Sequence, residues 1–219
     1  MAIEKFYFHC PFTSIVAGPT GSGKTHLVFA LITHKDQLFK NNLAGIMYCY
    51  NTYQSKFQQY KDTIEFVEGM PSKTVLEEFR NKKCSNEKEN ILVIIDDLMV
   101  DLNAELCKLF TIYSHHMNIS VMFLVQNLFY QQKFMRTITL NSQYLIIFNN
   151  KRDVNQIRVL GNQLFSGKNV EAFQDVYKEI VKKPFSYMLI DIHPESSNSI
   201  TLRTNVLPNE IETVYTPRA

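Results

Sequence analysis

The sequence predicts an α/β fold in which a mostly parallel β-sheet is flanked by helices and ends in a C-terminal β-hairpin. Two observations lead to this prediction. Apolar runs of strand length alternate along the chain with segments whose apolar residues recur at helical spacing. A glycine-rich segment at 18–25 also separates the first strand from the first helix. Because parallel strands need crossover connections, such alternation is typical of right-handed βαβ units.

The predicted strands are short apolar runs, as expected for strands covered by helices on both faces. They lie at 14–17, 43–50, 63–67, 91–97, 119–125, 143–148 and 187–192. A turn at 193–198 leads to a further apolar run at 200–206, which predicts the hairpin. The tail after Pro208 is expected to be loosely held.

Amphipathic segments between the strands predict the helices. Helical spacing occurs at 24–33, 53–60, 72–79, 103–117, 153–161 and 170–182, whereas 129–139 is compatible with a helix or a loop. Ser72 is a suitable N-cap for its helix, and Pro184 ends the last one.

Length and composition are those of an ordinary globular protein. The 219 residues are expected to form one domain over 1–219, with the motifs in a core at about 11–165 and a helical and hairpin extension at about 166–207. The formal net charge of +2 is too small to indicate nucleic-acid binding on global grounds. A surface that contacts DNA would have to be a local patch or a ring made by several subunits.

The cysteines and the N-terminus indicate a soluble, intracellular protein. Four cysteines are widely spaced without a C-x-x-C pair, which favours buried free thiols in a reducing compartment over disulfides or a metal site. The first ten residues contain an acidic residue and no long apolar core, unlike a signal peptide. No apolar run approaches the length of a membrane span, so no membrane partner is expected.

The segment at 18–25, Gly-Pro-Thr-Gly-Ser-Gly-Lys-Thr, matches the phosphate-binding pattern G-x-x-x-x-G-K-[ST]. Its glycines let the backbone adopt positive φ and approach a polyphosphate, whose oxygens the loop and helix N–H groups would bind. Lys24 can reach the β- and γ-phosphates of ATP, and the Thr25 hydroxyl can bind Mg²⁺. The predicted nucleotide-binding residues are Gly18, Pro19, Thr20, Gly21, Ser22, Gly23, Lys24, Thr25 and His26. The alternative is a glycine-rich turn that binds no ligand.

A second motif consists of Asp96 and Asp97, which end the apolar run at 91–95. In P-loop proteins this pattern is a Walker B motif, and the edge where such a strand ends is where ligands of open α/β sheets bind. We expect Asp96 to hold Mg²⁺ together with Thr25, and Asp97 to orient or deprotonate the attacking water. Alternatively, Asp97 only caps the segment that follows.

Two further side chains could act on the γ-phosphate. Gln126 ends the strand at 119–125, where an amide can contact the γ-phosphate or the attacking water; otherwise it is a turn residue. Arg136 precedes the next strand and could stabilise transition-state charge on the ATP of a neighbouring subunit; otherwise it is a solvated surface residue. Arg152 and Arg158 are weaker candidates for the same role or for contact with the DNA backbone.

Taken together, these segments resemble the FtsK–HerA superfamily of ATPases. The matching segments are Pro11 before the first strand, GPTGSGKT at 18–25, ILVIIDDL at 91–98, SHHMNISVMFLVQN at 114–127 and RTITLNSQYLIIFNNKRDVNQIRVLG at 136–161. The resemblance covers roughly residues 11–165 and is most specific from the Gln-ending strand onward. Within the superfamily, the segments look most like the poxvirus-type genome-packaging ATPases of large DNA viruses, virophages and Polinton-like elements.

The resemblance implies a RecA-like P-loop NTPase fold and an ATP-driven motor. In it, Lys24, Asp97, Gln126 and Arg136 would be catalytic, with ATP and Mg²⁺ as cofactors and Thr25 and Asp96 at the metal. A homo-oligomeric ring, such as a hexamer, would move double-stranded DNA into a preformed capsid. Capsid or portal-type proteins would be its partners, in the host cytoplasm or nucleus or in association with the virion.

Other functions are compatible with the same motifs. A related DNA helicase or conjugation-type pump would share them and differ in its partners. A nucleotide-gated scaffold protein with little turnover, or a small-molecule P-loop kinase, would bind nucleotide without moving DNA. Because no appended DNA-binding domain and no basic pore loop are evident, DNA binding is the part of the prediction with the least support from the residues themselves.

Overall fold

The computed structural model describes residues 5–98, 103–129, 133–153, 155–196 and 200–215, which contain a central nine-stranded sheet. Its strands are β1 Thr13–Ala17, β2 Leu43–Tyr50, β3 Glu65–Glu68, β4 Asn90–Asp96, β5 Ile119–Val125, β6 Tyr144–Phe148, β7 Tyr187–Asp191, β8 Thr201–Thr204 and β9 Thr213–Tyr215. They are ordered β3-β2-β4-β5-β1-β6-β7-β8-β9. The first six strands in this order are parallel, and the last three are added antiparallel. This confirms the predicted mixed α/β fold with a mostly parallel sheet.

Helices connect the strands, close to the positions that the sequence predicts. They are α1 Lys24–Thr33, α2 Lys35–Leu38, α3 Lys73–Lys83, α4 Ala104–Lys108, α5 Ser114–His116, α6 Lys133–Leu140, α7 Asn155–Leu164 and α8 Lys168–Ile180. The single helix expected at 103–117 contains a π-helical segment, Leu109–Tyr113, between α4 and α5. The helix expected at 53–60 is a 3₁₀ segment, Ser55–Tyr60. Residues 130–132 of the predicted helix or loop at 129–139 lie outside the described residues.

The two faces of the sheet are covered by different helices. Alternate side chains of β5 point to opposite faces, so that Met122 lies on the face covered by α1 and α2, while Phe123 lies on the face covered by α3, α4 and α6 to α8. Both faces form extended apolar cores, because nearly every residue of the central strands is buried. This explains why the strands are continuous apolar runs rather than alternating ones.

The register of the parallel strands brings their carboxyl ends to one edge of the sheet. Ala17, the last residue of β1, pairs with Val125 of β5 and with Ile147 of β6. Asp96, the last residue of β4, pairs with Leu124 of β5. The segments that follow β1, β4, β5 and β6 therefore begin side by side.

The C-terminal strands confirm the predicted hairpin and correct one expectation. β7 and β8 pair antiparallel, with Ile190 opposite Leu202. The tail after Pro208 was expected to be loosely held, and this prediction is wrong for residues 213–215, which form β9 against β8. Thr213 and Val214 of β9 are β-branched, which favours a strand. An ion pair between Glu212, directly before β9, and Arg203 of β8 also holds the two strands together.

The thiols are free, but they are less buried than expected. Cys49 is fully buried in β2, whereas Cys10, Cys84 and Cys107 are half-buried. Within the described part of the chain, no helix is both long enough and apolar enough to cross a bilayer.

Candidate nucleotide-binding site

The glycine-rich loop joins the end of β1 to the start of α1 at the centre of the sheet. Gly21 and Gly23 have φ values of +77° and +105°, which L side chains rarely adopt. A Cβ added to Gly18 would lie 2.7 Å from Phe148 Cβ and 2.8 Å from Ser22 Oγ. Gly23 is the N-cap of α1, and none of the described side chains caps that end. The first N–H groups of α1 are therefore available to an anion.

Ser22 carries a polar atom that fits a bound phosphate. Its Oγ is buried, and the described residues offer it no hydrogen-bond partner. Buried hydroxyl groups are rarely left in this state, since desolvation without a hydrogen bond is costly. The backbone around it is fixed, because Ser22 N donates to Pro19 O at 3.1 Å. An acceptor oxygen of a nucleotide phosphate would match this hydroxyl.

Lys24 lies between the loop and two carboxylates. Its Nζ donates hydrogen bonds to the carbonyl oxygens of Gly18 and Pro19, at 2.6 and 3.1 Å. Burial lowers the pKa of Lys24, and the attraction of Asp96 and Asp97 opposes this shift. The ammonium group is thus placed among the loop carbonyls, within the electrostatic field of the acidic pair.

Asp96 is held at the end of β4 by a tyrosine from the neighbouring strand. The Tyr48 hydroxyl donates a hydrogen bond to Asp96 Oδ2 at 2.5 Å. Burial raises the pKa of Asp96, whereas the hydrogen bond from Tyr48 and the charge of Lys24 lower it. Burial and the Asp96 carboxylate raise the pKa of Tyr48, and a hydrogen bond with Thr25 lowers it. Tyr48 therefore lies beside both Thr25 and Asp96, the two residues that the sequence assigns to a metal ion. Their hydroxyl and carboxylate oxygens are ligands that Mg²⁺ prefers.

Asp97 and Gln126 meet across the ends of β4 and β5. Gln126 Nε2 donates a hydrogen bond to Asp97 Oδ1 at 3.1 Å, and both side chains are exposed at the sheet edge. Asp97 has a φ of +58°, a left-handed conformation that Asp adopts more readily than bulky residues. This turn directs Asp97 toward the end of β5 instead of along β4. The pair could orient a water molecule at this edge.

A second polar network fixes the segment after Gln126. Asp153 Oδ2 accepts hydrogen bonds from Gln156 Nε2 at 2.8 Å and Asn127 Nδ2 at 3.4 Å. Gln156 Oε1 in turn accepts from the backbone N–H of Leu128 at 3.3 Å. Gln156 is buried, so these bonds tie the end of β5 to the first turn of α7. They hold the backbone that carries Gln126.

A cleft extends from the end of β5 past the glycine-rich loop toward β6 and β7. This β6–β7 cleft has a volume of about 820 Å³ and is lined by residues 19–22, 126–127, 148–153 and 181–186. Lys151, Arg152, Lys182 and Lys183 line it together with the carboxylate of Asp153, and Lys182 forms an ion pair with Glu179, which leaves an excess of positive charge. A polyanion is therefore favoured there electrostatically.

The structure brings most of the predicted site residues together at one edge of the sheet. The loop residues, Asp96, Asp97 and Gln126 are neighbours there, and His26 is exposed on the first turn of α1. Arg136 is not among the residues that line the β6–β7 cleft. It is exposed on α6, on the face of the sheet opposite to α1.

Sequence reasoning missed two aromatic residues of this site. Tyr48 stands within a continuous apolar run, where an aromatic residue is typical of a core, and its distance along the chain from Asp96 gave no signal of their contact. Phe185 lies in the loop before β7, and only its position directly after Pro184 indicated a turn.

No protein-family model matches the chain, and neither does any curated protein sequence. Solved structures do match it. The genome packaging NTPase B204 from Sulfolobus turreted icosahedral virus 2, in complex with sulfate, aligns with a TM-score of 0.58 and 11% identity over 97% of this chain and 99% of that one. The same NTPase in complex with ATP-gammaS aligns with a TM-score of 0.54 and 14% identity, over 94% and 98% of the two chains.

A further ATPase has a similar fold. EssC (ATPases 2 and 3) from Geobacillus thermodenitrificans aligns with a TM-score of 0.53 and 11% identity, over 88% of this chain and 39% of that one. These structures are of NTPases and ATPases, and their similarity to this chain shows the mixed α/β fold of P-loop NTPases, with a mostly parallel sheet flanked by helices. The chain therefore has the fold of a P-loop NTPase, and the predicted resemblance to packaging ATPases of the FtsK–HerA type is confirmed at the level of that fold.

Proposed function

We propose that the protein binds and hydrolyses ATP and uses the energy to move double-stranded DNA, with packaging of a viral genome into a preformed capsid as its task. The observation that carries the proposal is the placement of a phosphate-binding loop, an acidic pair and a glutamine at adjacent strand ends. Lys24 contacts the loop carbonyls, Asp96 accepts a hydrogen bond from Tyr48, and Asp97 accepts one from Gln126. All of them lie at the carboxyl ends of the parallel strands, where open α/β sheets bind their ligands.

The nucleotide phosphates would bind the loop N–H groups, the Ser22 hydroxyl and Lys24. Thr25 and Asp96 would hold Mg²⁺ together with those phosphates, and the ion supplies charge neutralisation at the transferring phosphoryl group. Tyr48 keeps the Asp96 carboxylate oriented, because it donates to one of its oxygens and leaves the other unused by this bond. These residues fix the position of the phosphates before any chemistry occurs.

Hydrolysis would be assisted at the Asp97–Gln126 pair. Gln126 holds Asp97 through its amide N–H, which leaves the amide oxygen and the second carboxylate oxygen to orient a water molecule. Asp97 would accept a proton from that water as it attacks the γ-phosphate. Lys24 would stabilise the charge that develops on the phosphate oxygens.

The coupling to DNA rests on the similarity to the genome packaging NTPase B204, which extends over nearly the full length of both chains. We infer a homo-oligomeric ring in which Arg136, exposed on α6, contacts the ATP of an adjacent subunit. Capsid or portal-type proteins would be its partners, in the host cytoplasm or nucleus or with the virion. The single domain over 1–219, with its motif-bearing core at about 11–165, would be the unit of this ring.

The test is steady-state ATPase activity with and without long double-stranded DNA, for the wild type and for Lys24→Ala and Asp97→Asn. The proposal requires turnover that DNA stimulates and that both substitutions abolish. Turnover that is indifferent to DNA would favour a kinase, and tight Mg·ATP binding without turnover would favour a nucleotide-gated scaffold. A helicase or conjugation-type pump would also be stimulated by DNA, and duplex unwinding or the absence of capsid binding would identify it.

A further inference from the structure

Phe185 is an exposed aromatic residue in an unusual backbone conformation. Its side chain is 72% exposed, although it is large and apolar, and its φ is +62°. Residues other than Gly, Asn and Asp seldom adopt this left-handed conformation, and where they do the surrounding structure imposes it, often at ligand sites. The turn is closed by a hydrogen bond from Ser186 N to Lys183 O at 3.4 Å. The loop therefore presents the ring to solvent instead of burying it in the core.

The ring lies against the glycine-rich loop. A Cβ built on Gly23 would be 3.4 Å from Phe185 Cδ1 and 3.6 Å from Phe185 Cβ, which is van der Waals distance. Phe185 also lines the β6–β7 cleft together with Thr20, Gly21 and Ser22. An aromatic face is thus placed directly beside the phosphate-binding loop.

The order of the strands gives the nucleotide a direction. Asp96 ends β4 and Asp97 follows it, on the β5 side of β1, whereas Phe185 precedes β7 on the β6 side. If the γ-phosphate and the metal ion lie beside the carboxylates, the ribose and base extend the opposite way. That direction leads into the β6–β7 cleft, whose volume of about 820 Å³ is ample for a nucleoside.

We propose that Phe185 is the platform on which the nucleobase of the bound nucleoside triphosphate stacks. This inference rests on the proposed function, because it presumes that the glycine-rich loop holds the phosphates. A planar ring recognises the face of a base and not its hydrogen-bonding edge, so the site accepts purine nucleotides with little discrimination between adenine and guanine. Phe185 contributes affinity for the nucleoside part and none for the triphosphate part.

The test uses the absence of tryptophan from the sequence. In Phe185→Trp, a single indole replaces the ring, and its fluorescence reports whether a base stacks on it. Mg·ATPγS and Mg·GTPγS are expected to quench this fluorescence, whereas inorganic tripolyphosphate is not. Leu140→Trp is the matched control, because Leu140 is also exposed, at 68%, and lies at the far end of α6. Its fluorescence is expected to stay constant with all three ligands.

Affinities measured by calorimetry give a second readout. Phe185→Ala is expected to bind Mg·ATPγS about tenfold more weakly than the wild type, in line with the loss of one base-stacking contact. Its affinity for tripolyphosphate is expected to be unchanged, and Phe185→Tyr is expected to bind like the wild type. A loss of tripolyphosphate binding in Phe185→Ala would mean that the substitution damages the loop, which contradicts a role confined to the base.

The failure of this inference is distinguishable from the failure of the proposed function. If Mg·ATPγS binds the wild type and Lys24→Ala abolishes binding, but Phe185→Ala binds as tightly as the wild type, the base platform is wrong and the phosphate site stands. If neither Mg·ATPγS nor tripolyphosphate binds the wild type, both proposals are overturned.

Discussion

The Tyr48 hydroxyl donates a hydrogen bond to Asp96 between the neighbouring strands β2 and β4, although 47 residues separate the two side chains in the sequence. The Tyr48 ring is fully buried and stacks on Phe29 of α1, with ring centroids 5.5 Å apart and planes inclined by 7°. Its position is therefore fixed by packing as well as by the hydrogen bond. Through Tyr48, the helix that follows the glycine-rich loop and the strand that carries the acidic pair are held in one arrangement.

Tyr48→Phe removes this hydrogen bond while it keeps the stacked ring. We expect it to destabilise the fold by about 1–3 kcal/mol, since a buried carboxylate loses its donor. We also expect a higher Mg²⁺ concentration for half-maximal nucleotide binding, because Asp96 is no longer held. Urea unfolding and Mg²⁺ titrations of ATPγS binding measure the two effects.

The control for Tyr48→Phe is Tyr144→Phe. Tyr144 is also fully buried, and its hydroxyl accepts a hydrogen bond from His9 N at the opposite edge of the sheet. This variant is expected to lose stability without a change in Mg²⁺ dependence. Equal Mg²⁺ dependence in the two variants would mean that Tyr48 has a structural role only.

Gln126→Ala tests the pair that we assign to the attacking water. It is expected to lower the turnover rate on the order of a hundredfold, with ATPγS affinity within about twofold of the wild type, because the amide acts on the water and not on the bound nucleotide. Gln143→Ala is the matched control, since Gln143 accepts a hydrogen bond from Thr13 N at the start of β6, away from the site. If both variants turn over equally fast, Gln126 is only a turn residue.

Arg136→Ala tests catalysis across a subunit interface. We expect the turnover rate to fall on the order of a thousandfold, while Arg158→Ala, which removes an exposed arginine from α7, has little effect. Mixing Arg136→Ala with Lys24→Ala subunits should restore part of the activity, because some interfaces then combine an intact loop with an intact arginine. Mixtures as inactive as the separate variants would exclude a role for Arg136 in a neighbouring site.

We expect His193 to make the stability of the fold depend on pH. Burial lowers its pKa to about 4 in the folded chain, helped by the charge of His9. Between the ordinary value of 6.5 and about 4, the unfolded chain binds a proton that the folded chain does not, so stability falls as the pH decreases through this window. Two neighbouring carboxyl groups have opposite effects on stability at acidic pH. The lowered pKa of Glu195 adds to the loss of stability, whereas the raised pKa of Asp191 opposes that loss.

His193→Phe separates the histidine from these carboxyl groups. The new ring keeps the stack with His9 and Tyr144, whose centroids lie 5.1 and 5.6 Å from that of His193, and it cannot bind a proton. Its melting temperature should fall less than that of the wild type between pH 6.5 and 4, whereas exposed His116→Phe should behave like the wild type. An unchanged slope in His193→Phe would assign the pH dependence to the carboxyl groups.

The features of this site that the sequence predicts are local motifs, each formed by residues that are consecutive in the chain. The glycine-rich loop, the run that ends in Asp96 and Asp97, and the strand that ends in Gln126 are each local patterns, and the parallel arrangement of their strands brings them together. Contacts between distant residues leave no such pattern. Tyr48 is indistinguishable from a core aromatic until the register of β2 and β4 is known.

The C-terminal part illustrates the same limit. Phe185 gains its position beside Gly23 only from the antiparallel pairing of β6 and β7, which places the loop before β7 at the carboxyl end of β6. Likewise, the short segment Thr213–Tyr215 has only a weak strand pattern, and it becomes a strand because it pairs with the otherwise open edge of β8. Propensity alone could not predict either one.

The position of β1 between β5 and β6 has a consequence for biosynthesis. Residues 13–17 leave the ribosome first among the strands, yet their pairing partners at 119–125 and 144–148 follow more than a hundred residues later. Until then, the apolar β1 segment has no partner on either side, and the loop behind it has no sheet to hold it. Nascent chains that end before Phe148, the last residue of β6, therefore cannot form the proposed nucleotide site, so nucleotide binding at that site would stabilise the fold only after β6 has been made.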